Sequence, residues 1–181
     1  MTDADFEVLL KSPLDDGPTG SGYGWLIVGL FVLVMGVFYA LTAVPAYKDR
    51  LFPSYLRWTA SFSTSLLNGL GRPEASSSGS TVSSGTFALQ IKEGCDALEP
   101  CALFLAAVIA FPVGWRPKML GAVLGVTALL SMNFVRIVSL YYVRDHAPDY
   151  FHTMHVDVWQ PAFILLVLVF WLVWMWRATR A

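Results

Sequence analysis

The segment Trp25–Ala46 (WLIVGLFVLVMGVFYALTAVPA) contains no charged residue, and nothing else in the chain restricts its folding so strongly. A run of about 20 apolar residues matches a hydrocarbon core about 30 Å thick, and helices satisfy every backbone hydrogen bond there without water. Three more apolar runs follow, from about residue 97 to 113, 119 to 143 and 161 to 176. The second and the fourth are near the short limit for a crossing. Charged residues make up 14% of the 181 residues and hydrophobic residues 56%, with mean hydropathy +0.57. A soluble domain carries about 25% charged residues, so this supply could not cover a water-facing surface. The sequence therefore predicts an all-α polytopic membrane protein with four transmembrane helices.

Trp25, Trp115, Trp159 and Trp176 fall at the ends of these runs, where indole rings anchor at the headgroup level. The Ala43–Ala46 end of the first run faintly resembles a signal-peptide cleavage site. The run is too long for one, however, and the residues before it are acidic, so it is read as a retained span. Residues 1–23 are read as an acidic cytoplasmic tail and 24–181 as one membrane-embedded domain.

Arg116 and Lys118 in the tight turn between runs two and three, with Arg177 and Arg180 after run four, assign that side to the cytoplasm. Segment 47–96 and the stretch before run four then face outward. Ser54–Gly71 is apolar but rich in Ser, Thr and Asn, and is read as an interfacial helix in preference to a fifth span. Residues 75–90, rich in Ser and Gly, lead into a short extracytoplasmic hairpin or strand. The net charge of −1 gives no reason to expect a nucleic-acid partner.

Few polar residues need explaining. Arg136 lies inside the third run, where a central arginine costs about 2.5–3.5 kcal/mol on insertion scales. Snorkelling is the structural explanation, but Asn133, one turn earlier on the same face, favours an inward-looking site. Cys95 opens the second run in Gly94-Cys95-Asp96-Ala97-Leu98-Glu99. It is either a small packing residue or a thiol at a helix N-terminus, where the dipole favours thiolate. Cys101, six residues on, cannot face Cys95 across one helix and reads as packing. His152 and His155, with Asp157, precede the last run and could supply a base oriented by a carboxylate, or metal ligands. In a four-span, N-inside topology Cys95, Arg136 and His155 all reach the outer face.

The order Gly-Cys95-Asp-Ala-Leu-Glu, Asn133-Phe-Val-Arg136, then His155-Val-Asp-Val-Trp159 resembles the exosortase/archaeosortase family of membrane cysteine transpeptidases over roughly residues 85–178. Its short length and Trp159, where glycine is more usual, make it most like the compact exosortase H type. Ala97 also departs from the family, which often has glycine there, and the chain has about half the spans of larger members. The resemblance implies a bacterial inner-membrane enzyme with its active site facing the periplasm. Its partner would be the C-terminal sorting signal of a secreted protein, made of a motif, a hydrophobic helix and a basic tail. Membrane lipid surrounds it, and a lipid or glycan could be the acceptor. Cys95, Arg136 and His155 would be catalytic and Asn133, Asp157 and His152 supporting, with no metal or organic cofactor required. Two other classes stay open: a metal-binding protein using Cys95, His152, His155 and Asp157, and a non-catalytic assembly subunit in which Arg136 pairs with a carboxylate.

Overall fold

The computed structural model describes residues 20–92 and 94–180. Most of the expected acidic tail, and Glu93, lie outside the described residues. Helix α1 (Gly20–Ala43) begins within the stretch assigned to the tail. It ends where Pro45 disfavours helical geometry at Val44, and the chain turns through a π-helical segment, Tyr47–Leu51. Helix α2 (Phe52–Gly69) starts with Pro53 in its first turn, where no N–H is needed.

Three short antiparallel strands follow in the order β1-β2-β3: β1 (Ser76–Ser78), β2 (Thr81–Ser83) and β3 (Ala88–Gln90). Ser78 pairs with Thr81 across a two-residue turn in which Gly79 takes φ +61°, the first turn position where a type II′ hairpin uses glycine. Helix α3 (Leu98–Ala110), α4 (Trp115–His146) and α5 (Trp159–Ala178) complete the chain.

Among the described residues, three helical stretches are long and apolar enough to cross a membrane: Gly24–Ala43, Trp115–His146 and Pro148–Ala178. The expected second span is not one of them. Its helix has 13 residues, about 20 Å at 1.5 Å per residue, short of a 30 Å core. Pro112 is the reason, because it holds Phe111 extended at ψ 135° and stops the helix there. The third span is longer than expected, at 32 residues.

The fourth helical stretch also begins earlier, so residues read as an outer loop are helical. A 3-10 turn (Pro148–Tyr150), one α-helical turn (Phe151–Thr153) and a π-helical turn (Met154–Val158) run directly into α5. Pro161 has no N–H for the Asp157 carbonyl, and the wider π turn lies immediately before it, where the ladder is interrupted.

Helix α3 is the centre of the bundle and packs on α1, α4 and α5. Its Phe104, Ala106 and Val108 are buried, whereas α1 turns Trp25, Val32 and Leu33 outward. Outward apolar side chains of this kind suit lipid contact. Helix α2 has a similar inversion. Its inner face buries Leu56, Ala60 and Leu67 with Thr59, Ser63 and Thr64, while Trp58 and Phe62 face out. Thr59 and Ser63 satisfy their buried hydroxyls by donating to the Tyr55 and Thr59 carbonyls at 3.0 and 2.8 Å.

A separate cluster joins the sheet to α2 and α4 through Val82, Ile91, Leu56, Ile137 and Tyr141. An Arg72–Asp145 ion pair ties the segment after α2 to the end of α4, and Arg72 also lies 5.1 Å from the Tyr142 ring centre. This cluster fixes β3 beside the C-terminal half of α4, which sets one wall of the site.

Candidate active site

Gly94 and Ala97 bracket the cysteine with left-handed backbone, at φ +86° and +60°. The chain therefore turns sharply at Cys95 and does not run through it as a helix. The helix begins at Leu98, so Cys95, expected at the helix N-terminus, lies on the bend three residues before it. Asp96 helps make the bend: its Oδ1 accepts from the Leu98 N–H at 3.1 Å, and its carbonyl accepts from the Tyr55 hydroxyl at 2.6 Å. Burial pushes the Tyr55 hydroxyl up to about 12, so it stays a donor at neutral pH. Neither Tyr55 nor Asp96 was a candidate from sequence. The Asp96 bond to the N–H two residues on is an Asx-turn, and an Asp just before a helix start is the sequence signal for it.

Left-handed backbone costs a non-glycine residue about 1–2 kcal/mol. Ala97 accepts that strain at the position where the resembling family often carries glycine. The substitution is thus more than a minor change of size.

Arg136 is only 2% exposed and crosses from α4 to this bend. Its Nη1 donates to the Gly94 carbonyl at 3.1 Å, and its Nη2 lies 3.8 Å from Cys95 Sγ. The guanidinium also sits 5.4 Å from the Phe163 ring centre on α5, a cation–π contact. It does not snorkel to the surface. Arg136 Nε has no protein partner, so a five-donor group retains hydrogen-bonding capacity.

His155 approaches from the π turn before α5. Its Nε2 is 3.5 Å and its Nδ1 3.7 Å from Cys95 Sγ. Phe151, one turn earlier, stacks on the imidazole with 3° between the planes and 5.9 Å between ring centres. Cys95, Arg136, His155 and Phe151 share a cavity of about 480 Å³ with β3, Lys92 and Arg144. Burial pushes the Cys95 thiol above its ordinary range, and the Arg136 charge opposes that shift. A neutral thiol beside an imidazole can transfer its proton as it reacts.

The other sequence candidates separate from this core. Asn133 is 1% exposed, and its Oδ1 has no protein partner. It lies one turn below Arg136 and does not line the cavity. His152 and Asp157 are exposed on the helical approach to α5. Among the described residues, no three His, Cys, Asp or Glu side chains gather as metal ligands, so Cys95, His152, His155 and Asp157 do not form a joint set.

A family model for transmembrane exosortases matches residues 18–158. The chain belongs to the transmembrane exosortase family. That match includes the Cys95 bend, Arg136 and His155, and stops just before α5. No match was found among curated proteins or among solved structures. Membership and the three long apolar helices together make this exosortase a membrane protein.

Proposed function

We propose that this exosortase is a cysteine peptidase/transpeptidase that cleaves the C-terminal sorting signal of exported proteins, with Cys95 as nucleophile. The single observation that supports it is the convergence of Cys95, Arg136 and His155, from a bend, a membrane helix and a π turn, within 3.8 Å of one sulfur.

In this mechanism His155 takes the thiol proton as Sγ attacks the scissile carbonyl carbon. The resulting oxyanion faces Arg136, and a fixed cation in a dry site stabilises it far better than water does. Collapse breaks the C–N bond, and His155 returns the proton to the leaving amine. The thioester then passes its acyl group to water or to a lipid or glycan nucleophile, which regenerates the thiol. Asn133 is a buried polar neighbour one turn below Arg136, and His152 and Asp157 act only at the periphery.

The same reading places the chain in a bacterial inner membrane with the site toward the periplasm. Arg116, Lys118, Arg177 and Arg180 lie at the opposite, cytoplasmic end. Helix α3 then makes the remaining crossing together with its flanking turns. Arg136 lies about 15 Å from the His146 end of α4, and Cys95 sits on the bend outside helix α3. The hydrophobic helix of the signal packs laterally, and its motif descends to the cavity.

Coexpression with a secreted protein bearing such a signal tests the proposal. Processing should fail with Cys95→Ala and drop strongly with Arg136→Ala and His155→Ala. Processing that persists in Cys95→Ala, or that needs His152 and not His155, would refute these assignments.

A further inference from the structure

One wall of the cavity is a strand with one free edge among the described residues. Strand β3 pairs with β2 alone among the described residues, with Leu89 opposite Val82. The Ile91 N–H donates to the Ser80 carbonyl and the Phe87 carbonyl accepts from Ser84, so residues 87, 89 and 91 direct their backbone groups to β2. By the two-residue period of a strand, Ala88 and Gln90 direct theirs to the other side. Both residues are exposed.

That free edge belongs to the cavity that holds the thiol. The whole run from Ala88 to Lys92, and with it the edge positions Ala88 and Gln90, lines it with Cys95, Phe151 and His155, and Lys92 is three residues from the nucleophile. An unpaired edge next to a reactive site is a template for an extended peptide, whose main chain supplies the affinity. The charge of the lining favours such a segment when it is acidic. Lys92, Arg136 and Arg144 are the charged residues that line the cavity among those described; the buried Asp96 carboxylate beside Cys95 acts on Arg136 from behind, which leaves the lining with an excess of positive charge.

We propose that the substrate segment entering the site binds as a fourth strand on the free edge of β3, so that its backbone register sets which carbonyl reaches Cys95. This rests on the cysteine-peptidase reading and adds to it the mode of substrate recognition. Pairing to Ala88 and Gln90 uses every second substrate residue, so alternate amides are engaged. The remaining amides point away from the edge.

The test uses the full-length protein in detergent and the probe acetyl-Ala-Glu-Ala-Ala chloromethyl ketone. Its reaction joins Sγ to the ketone methylene and expels chloride, while the thiol proton leaves through His155 to solvent. Mass spectrometry follows the rate of labelling at Cys95 for this probe and for analogues N-methylated at one amide each. Iodoacetamide, which needs no strand, reports the thiol itself.

Methylation should slow labelling about tenfold at alternating amides and less than about twofold at the others, as expected for removing single edge hydrogen bonds. Gln90→Pro should slow peptide labelling about tenfold and leave iodoacetamide labelling unchanged. Proline at a free-edge position removes only an N–H that β2 does not use. Equal rates for all analogues with normal iodoacetamide labelling would overturn the strand and leave the thiol reading intact. Peptide labelling that is indifferent to methylation but competed by anionic phosphatidylglycerol vesicles would also overturn it, assigning Lys92 and Arg144 to lipid. Failure of iodoacetamide to react at Cys95 would remove the underlying peptidase reading as well.

Discussion

Two cavities of about 480 Å³ open at opposite ends of α4, and they are built in contrary ways. Near the N-terminal end, Gly121 and Gly125 let aromatic rings press onto the helix backbone. A Cβ at Gly121 would lie 2.0 Å from Trp174 Nε1, and one at Gly125 would lie 2.1 Å from Phe104 Cε1. Trp174 Nε1 donates to the Pro117 carbonyl at 2.9 Å, so its polar atom is satisfied. The cavity beside it is lined by Leu120, Leu124, Phe170 and Val173, with Arg116 and Arg177 at its rim. Near the C-terminal end, α4 buries Asn133 and Arg136 with polar atoms left unpartnered. Size does not distinguish the two cavities. A buried cation beside a sulfur does: Arg136 keeps one donor unpartnered next to Cys95, which costs about 1–3 kcal/mol, whereas the cations of the apolar end stay exposed at the rim.

The largest effect expected to test this contrast is loss of signal processing with Cys95→Ala. Leu124→Ala, in the apolar cavity, should keep processing within about twofold, as an exposed substitution does. Processing assays that found the two variants alike would erase the distinction. Arg136→Ala should lower the processing rate by about 100- to 1000-fold, the usual effect of removing an oxyanion donor. Its protein should still be produced, and immunoblots of membrane fractions check that the loss is chemical.

At the other end the damage should be structural. Gly125→Ala should destabilise the protein by about 1–3 kcal/mol through overpacking against Phe104, read as a lower unfolding temperature in detergent. Phe104→Leu in the same chain should restore part of it. No recovery would mean that Phe104 is not what limits the site.

Smaller effects refine the polar end. Because burial raises the Cys95 thiol, iodoacetamide labelling should accelerate with pH, with a midpoint above that of an ordinary thiol. Arg136→Met removes the opposing cation, which disfavours the thiolate, so its midpoint should move further up. A midpoint that falls in Arg136→Met would contradict the electrostatics. The smallest change is Ala97→Gly, which should raise stability by about 1 kcal/mol by relieving left-handed backbone at φ +60°.

What could be read in advance follows from the range of each cause. The long apolar runs are local and composition alone reveals them, as the first, third and fourth spans show. The order of Cys95, Arg136 and His155 in the chain was legible because the residue types are rare in such a context. Helix α3 was overestimated because hydropathy continues through Phe111 and Val113, while Pro112 acts on backbone geometry. The helical lead-in from Pro148 was missed because Asp, His and Thr there read as loop, and continuity past Pro161 depends on the π turn. Tyr55 at the Asp96 carbonyl and Phe163 under Arg136 are tertiary contacts between distant segments. No local pattern encodes them.

The most direct measurement of the central claim is mass spectrometry of the enzyme trapped during turnover of a processed substrate. The account predicts an acyl adduct on the peptide containing Cys95, released by neutral hydroxylamine and absent in Cys95→Ala. Turnover that proceeds with no adduct at Cys95, or an adduct on Cys101 or another residue, would contradict it.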